Sequence, residues 1–182
     1  MTVRVFRPSA AALGLALALG ACSTDDLPPC PPVYILSDAK DVTKFRPGSG
    51  QDLTDIVAKA EIVGYHGTCE YKKPDNGKGW NVDLELQVAI QAWRGPANTT
   101  HSADLSYFVA IPYFYPKDQA KAVFPLRVQF PAGSDQVRGV DQPIHMTIPI
   151  GDKDAISKYV VYLGFQTTRQ ELEHNRKDDK DN

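Results

Sequence analysis

The feature that most constrains the fold is a period-two alternation over nine residues within the segment from Trp80 to Trp93, which reads VDLELQVAI. Successive side chains of a β-strand point to opposite faces, so this period predicts a strand with one buried face and one wet face. A second layer must therefore cover the buried face.

Other segments show similar strand patterning and are separated by turn residues. Between residues 56 and 71 the apolar phase switches, which predicts a β-bulge near Val63 and Gly64. Pro112 interrupts its segment and predicts an edge strand or a strand end. Residues 37–51 are expected to form a loop, and 73–79 a turn at Asn-Gly. The further strand candidates are 33–36, 56–71, 105–115, 123–130, 144–150 and 159–165.

This pattern predicts an all-β fold with about seven strands and no long helix. An antiparallel β-sandwich of immunoglobulin or fibronectin-III type fits best, with a small closed barrel as the alternative. The sandwich is expected to span residues 33–168, and the charged stretch 169–182 is expected to be a solvated C-terminal tail. A net charge of −2 gives no general attraction to nucleic acid, so we expect no nucleic-acid partner.

Residues 1–21 have the layout of a signal peptide. Arg4 and Arg7 give a basic start, and an uncharged apolar run from Ala10 to Ala21 follows. As a helix this run would rise only about 18 Å, which is short of the roughly 30 Å of a bilayer core. We therefore predict a cleaved signal peptide and not a membrane span.

Leu19-Gly20-Ala21-Cys22 closes this segment and resembles the lipobox of bacterial lipoproteins. In that family the cysteine thiol is diacylated, the chain is cleaved before the cysteine, and the new amino group is acylated. The resemblance implies a lipid anchor at Cys22, and several acyl chains hold a protein durably on a membrane. Ser23 follows where an Asp would imply inner-membrane retention, so the outer membrane is implied. The alternative is a conventional signal peptide with an incidental cysteine.

Residues 22–32 contain four prolines within a ten-residue stretch and are expected to form a short, stiff tether of at most ~30 Å. Cys30 and Cys69 are the remaining cysteines, and an oxidising compartment predicts a disulfide between them. The chain-entropy estimate for such a cross-link is about 4 kcal/mol. A reactive thiol or a metal site is the alternative, but the sequence has neither CxxC nor a histidine at ligand spacing.

Motifs that would indicate catalysis are missing from the sequence. It contains no HExxH, no GxSxG and no glycine-rich phosphate loop. The aspartates at 38, 41, 52 and 55 are better explained as turn caps than as acid–base pairs. We therefore predict no catalytic residues, no metal and no cofactor, although a hydrolase site assembled from dispersed residues stays open. None of the four histidines, His66, His101, His145 and His174, lies in an HExxH motif.

Aromatic side chains offer the most suggestive surface. Trp93 shares the polar phase of its strand, and Tyr113 and Tyr115 lie in the aromatic run YFVAIPYFYP. Exposed aromatic rings anchor protein partners or stack on sugars, so these three residues are the candidate partner-binding residues. Core packing is the alternative for all of them.

The whole pattern resembles Gram-negative lipoproteins with a single immunoglobulin-like β-sandwich. The lipobox, Cys30-Pro31-Pro32 before the first strand, and the Phe-Pro motifs at 124–125 and 130–131 carry the resemblance. It implies a protein anchored through its N-terminal lipid to the outer membrane and facing the periplasm. We expect a non-enzymatic module that binds an envelope protein, or alternatively a module that binds carbohydrate or peptidoglycan.

Overall fold

The computed structural model describes residues 28–48 and 50–181, which form nine strands and one α-helix. The predicted signal peptide and Cys22 lie outside these residues. The elements are, in chain order, β1 (Val33–Ile35), β2 (Asp41–Phe45), β3 (Ile56–Lys72), β4 (Trp80–Arg94), β5 (Ser102–Ala110), β6 (Lys121–Gln129), β7 (Gln136–Val140), β8 (Ile144–Ile150), β9 (Val161–Phe165) and helix α1 (Arg169–Asp181).

The strands form two sheets that enclose a common apolar core, so the predicted all-β sandwich is confirmed. One sheet has the order β1-β9-β5-β6, and the other has β2-β3-β4-β7, with β8 also paired to β4. The predicted alternation of β4 is confirmed, because Val82, Leu86 and Ile90 are buried in the core. The hairpins β3–β4 and β5–β6 each stay within one sheet, and the chain crosses to the opposite sheet between β4 and β5.

The strand count is nine and not about seven, because β2 and β7 fall where only loops are expected. Both strands are five residues long and carry little apolar patterning, DVTKF and QVRGV. Long neighbours supply their pairing, since β2 pairs with β3 and β7 pairs with β4. Tertiary context overrides a weak local signal at both places.

The hairpin β3–β4 is the longest pairing in the molecule and contains the predicted bulge. The register shifts between Ile62 and Gly64, as the phase change predicts. The turn that joins the strands includes Gly77, whose φ of 67° lies in the left-handed region that glycine adopts readily. Pro112 follows the end of β5, which agrees with a strand end there.

The predicted disulfide between Cys30 and Cys69 is confirmed. It belongs to a wider contact between the N-terminal segment and β3. The hydroxyl of Tyr71 donates to the carbonyl of Pro29 at 2.9 Å, and that of Tyr65 donates to the carbonyl of Val33 at 3.0 Å. Residues 28–32, expected to be part of a tether, therefore pack on the sandwich.

The C-terminal stretch forms helix α1 where a solvated tail is expected. A capping box starts it: the Glu171 carboxylate accepts from the Thr168 backbone N–H at 2.7 Å, and the Thr168 hydroxyl accepts from the Glu171 N–H at 3.2 Å. Asn175, one turn later, is buried and donates to the carbonyl of Asp41 at 2.7 Å. The helix docks through polar side chains, which apolar periodicity does not detect.

Removing the Thr168 hydroxyl tests whether the capping box stabilises helix α1. We expect Thr168→Ala to lower the free energy of unfolding by about 1 kcal/mol, because an orphan N–H in the first turn loses its acceptor. Urea denaturation measures the change. Thr167→Ala is the matched control, and an equal loss there would contradict a capping role for Thr168.

Candidate functional site

The two lateral openings of the sandwich differ in their covering. Helix α1 lies against the side where β1 and β2 are the edge strands. It is held there by an ion pair of 2.8 Å between Lys44 and Glu171 and by ring contact between Phe45 and His174, with centroids 5.2 Å apart. No α-helix of the described residues covers the opposite side, between β6 and the pair β7 and β8. We call this opening the lateral cleft.

One half of the lateral cleft, which we call the first pocket, lies between β6 and β7 and has a volume of about 240 Å³. Small residues create it: Ala92 and Gly139 occupy inward positions where larger side chains would fill the space. A Cβ added at Gly139 would meet nothing within 4 Å. Apolar side chains such as Ile90, Leu126, Val128 and Val137 make up most of the lining, and Arg127, Gln129 and Asp141 also belong to it.

The other half, which we call the second pocket, lies between β6 and β8 and has a volume of about 230 Å³. The side chain of Phe114, in the short 3-10 turn after β5, closes one end of it. Apolar side chains again dominate its lining: Val109, Ile111, Ala122, Phe124, Ile144, Met146 and Ile148. Each half therefore offers an apolar recess that opens at the same side of the molecule.

A polar bridge between the sheets adjoins both pockets, since Asp141 lines one of them and Phe124, which stacks on Tyr107, lines the other. The hydroxyl of Tyr107 in β5 donates to Asp141, just after β7, at 2.7 Å. Tyr107 is only 1% exposed, and its ring stacks on Phe124 with centroids 5.5 Å apart. Burial first, and then the hydrogen bond to Asp141, raise the pKa of Tyr107 well above its ordinary value. The bridge therefore links β5 of one sheet to the residue that follows β7 in the other.

Edge strands border the lateral cleft on both sides. Among the described strands, β6 pairs only with β5, and β7 pairs only with β4. Pro125 in β6 faces Ser106, whose carbonyl bonds to Gln166 on the other side of β5. Pro125 therefore occupies an outward position of the ladder, where it removes one donor from the open edge.

The candidate partner-binding residues do not form one surface. Tyr113 and Tyr115 flank Phe114 beside the second pocket and are 56% and 82% exposed. The ring of Tyr113 also contacts that of Tyr159, with centroids 4.2 Å apart. Trp93 lies on the outer face of β4, paired with Lys59, several residues beyond the segment that pairs with β8. Only the two tyrosines adjoin the lateral cleft.

A polar depression of about 450 Å³ lies on the outer face of β3, β4 and β8. Its carboxylates are already engaged within the protein. Thr147 donates to Asp83 at 2.7 Å, and Lys72 bridges Glu70 and Asp83 at 3.0 Å each. The hydrogen bond from Thr147, followed by the one from Lys72, lowers the pKa of Asp83. Within the described ranges, no three His, Cys, Asp or Glu side chains gather in a way that could hold a metal ion.

Gly139, Tyr107 and Asp141 are the site residues that sequence analysis misses. Gly139 lies between Val137 and Val140, and a glycine inside a strand marks either a bulge or the close approach of a ligand or another backbone. Tyr107 lies in the same aromatic run as Tyr113, but its role depends on a partner 34 residues away. Only the strand order brings these residues together.

Comparisons with protein-family models, with curated proteins and with solved structures find no match to this chain. No helix within residues 28–48 and 50–181 has the length and apolar character needed to cross a membrane.

Proposed function

We propose that this protein is a lipid-anchored, non-enzymatic component of the Gram-negative envelope whose sandwich binds a protein partner through the lateral cleft. The lateral cleft carries the proposal, because it is an apolar recess at the side of the sandwich that α1 leaves uncovered. The lipobox at residues 19–22 supports an anchor on the outer membrane, with the sandwich facing the periplasm.

The size of the pockets favours protein side chains over a small molecule. Each half holds about 230 to 240 Å³, below the roughly 300–1,000 Å³ typical of small-molecule sites. One or two apolar side chains fit each half, and the open edges of β6 and β7 can pair with an extended segment of the partner.

Filling the first pocket from within tests the proposal. Gly139→Val places a side chain into open space next to Ile90, so we expect it to abolish partner binding while the melting temperature stays unchanged or rises. The measurement is in-cell photocrosslinking from a probe at Gln129, on the rim of this pocket. Adducts from the Gln129 probe are expected in the wild-type background and not in Gly139→Val.

Arg138→Val is the matched control, because it adds the same side chain to the same strand on the outer face, opposite Gln91. It should leave the adducts intact. A probe at Trp93 reports on the outer face of the sheet that contains β4 and should yield no such adduct. Adducts that persist in Gly139→Val, or that form equally from Trp93, would contradict binding at the lateral cleft.

Glycan binding is the second candidate, and the exposure of Tyr113 and Tyr115 favours it. Aromatic rings that stand free in solvent can stack on sugar rings. Under this alternative, Tyr115→Ala weakens co-sedimentation with peptidoglycan and Gly139→Val does not. If Gly139→Val abolishes binding and Tyr115→Ala does not, the result supports the protein partner.

A further inference from the structure

The tip of the β3–β4 hairpin is basic in a protein that is acidic overall. We define the hairpin tip as residues 72–80, KKPDNGKGW, which hold three lysines and one aspartate in a chain of net charge −2. Lys72, Lys73 and Lys78 are all exposed. Lys72 is bound by Glu70 and Asp83, so Lys73 and Lys78 provide the charge that can act on a ligand.

Two aromatic side chains stand beside these lysines. Tyr71 and Trp80 meet edge to face with centroids 6.4 Å apart, and the ammonium of Lys73 lies 3.8 Å from the centre of the Trp80 ring. Both rings are partly buried and combine an apolar body with a polar tip. Tryptophan, tyrosine and lysine together are the composition that favours the interface of a bilayer.

The N-terminal segment leads to the hairpin tip. Moving toward the N-terminus, the chain contacts Tyr65 at Val33, Cys69 at Cys30 and Tyr71 at Pro29. Only residues 23–27 lie between Cys22 and Pro28, and this stretch can span at most about 22 Å in any conformation. A lipid on Cys22 would therefore hold the hairpin tip close to the membrane surface.

We propose that the hairpin tip is a second membrane contact, in which Lys73 and Lys78 bind anionic lipid headgroups and Trp80 lies at the interface. The inference rests on the lipid anchor of the proposed function, and it adds an orientation to that anchor. The opposite end of β4, at Trp93, lies about 40 Å farther along the strand. The sandwich then stands upright on the bilayer, with Trp93 away from the lipid.

The two tryptophans make a matched pair of reporters, because the chain has only these two. The lipidated protein is reconstituted into vesicles of phosphatidylethanolamine and phosphatidylglycerol with brominated acyl chains, which quench nearby tryptophan. Trp93→Phe leaves Trp80 as the only reporter, and Trp80→Phe leaves Trp93. We expect brominated lipid to quench Trp80 and to leave Trp93 unquenched, relative to unbrominated vesicles.

Charge reversal separates headgroup binding from simple proximity. Lysines near an anionic surface contribute about fivefold each to membrane partitioning, so Lys73→Glu with Lys78→Glu should weaken the contact by more than about 25-fold and abolish quenching of Trp80. Lys59→Glu, which faces Trp93 at the far end of the same strands, is the control and should change nothing. Zwitterionic vesicles of phosphatidylcholine should also reduce the quenching.

The outcomes distinguish the hairpin contact from the anchor. Vesicle flotation without quenching of Trp80, or with equal quenching of both tryptophans, would overturn the hairpin contact and leave the anchor standing. Failure of the protein to float with the vesicles would overturn the anchor and the inference together. Quenching that survives Lys73→Glu with Lys78→Glu would overturn the role of the lysines.

Discussion

Replacing Cys30 and Cys69 together with alanine is expected to lower the free energy of unfolding by about 4 kcal/mol. The cross-link joins residues 39 positions apart, so it removes a large amount of chain entropy from the unfolded state. It also fixes the N-terminal segment against β3, where Pro29 accepts its hydrogen bond from Tyr71. Urea denaturation of the oxidised protein and of the double variant measures the difference.

The reduced wild-type protein is the control, because it lacks the bond and keeps both side chains. Its free energy of unfolding should lie within about 1 kcal/mol of that of the double variant, since cysteine and alanine differ little where one position is exposed and the other half-buried. Equal stability of the oxidised and reduced proteins would show that packing alone holds residues 28–33, and would refute the expected loss.

The disulfide also bears on the membrane contact. Without it, the hydrogen bonds of Tyr65 and Tyr71 still hold the N-terminal segment against β3, and β1 keeps its pairing with β9. The lipidated double variant should therefore still float with vesicles, while Trp80 is quenched less than in the protein with an intact disulfide. The cross-link thus connects fold stability to the orientation of the sandwich on its membrane.

Strands with a strong period could be predicted from sequence, and weakly patterned ones could not. In β4 the alternation continues over many residues, so burial of one face follows from the pattern alone. In β7 the valines are separated by Arg138 and Gly139, and only the long partner β4 makes this segment a strand. The same holds for β2 beside β3.

The lateral cleft could not be predicted, because it depends on register and strand order. Gly139 leaves a pocket only because it lies opposite Ile90 on the inner face of the sheet. Tyr107 meets Asp141 only because β5 and β7 belong to opposing sheets. Tyr113 and Tyr115 could be proposed from composition, but their position beside Phe114 and the second pocket required the fold.

Helix α1 shows a signal that apolar periodicity overlooks. Thr168 and Glu171 form the T-x-x-E spacing of a capping box, which is visible in the sequence. Its docking contacts are polar: Glu171 binds Lys44, and Asn175 binds backbone carbonyls. A search for apolar stripes therefore misses the element that closes one side of the sandwich.

Asp141→Ala is expected to lower the free energy of unfolding by about 2–3 kcal/mol, because it leaves the buried hydroxyl of Tyr107 without its charged acceptor. Tyr107→Phe should cost only about 1 kcal/mol, since Asp141 is partly exposed and can bind water. The double variant should be nearly as stable as Tyr107→Phe alone, which identifies the unsatisfied hydroxyl as the source of the larger loss. Urea denaturation of the wild type and the three variants completes a double-mutant cycle. If the losses in unfolding free energy of the two single variants add up in the double variant, a direct bridge is contradicted.

The pH dependence provides a second test of the same bridge. Because the pKa of Tyr107 is raised in the fold above its unfolded value of about 10, its contribution to stability is complete below that pH and is lost as pH rises beyond it. Tyr107→Phe should therefore lose less stability between about pH 10 and 12 than the wild type. The remaining loss has other sources, because burial also raises the pKa of Tyr71 and Tyr159.

The bridge is expected to matter for binding as well as for stability. It links the two sheets beside both pockets, so its loss is expected to change the shape of the lateral cleft. Under the proposed function, Asp141→Ala should therefore weaken crosslinking from Gln129 even below the temperature at which the variant unfolds. Gly139→Val blocks the same pocket without loss of stability, so comparing the two variants separates occlusion of the lateral cleft from a change in its shape.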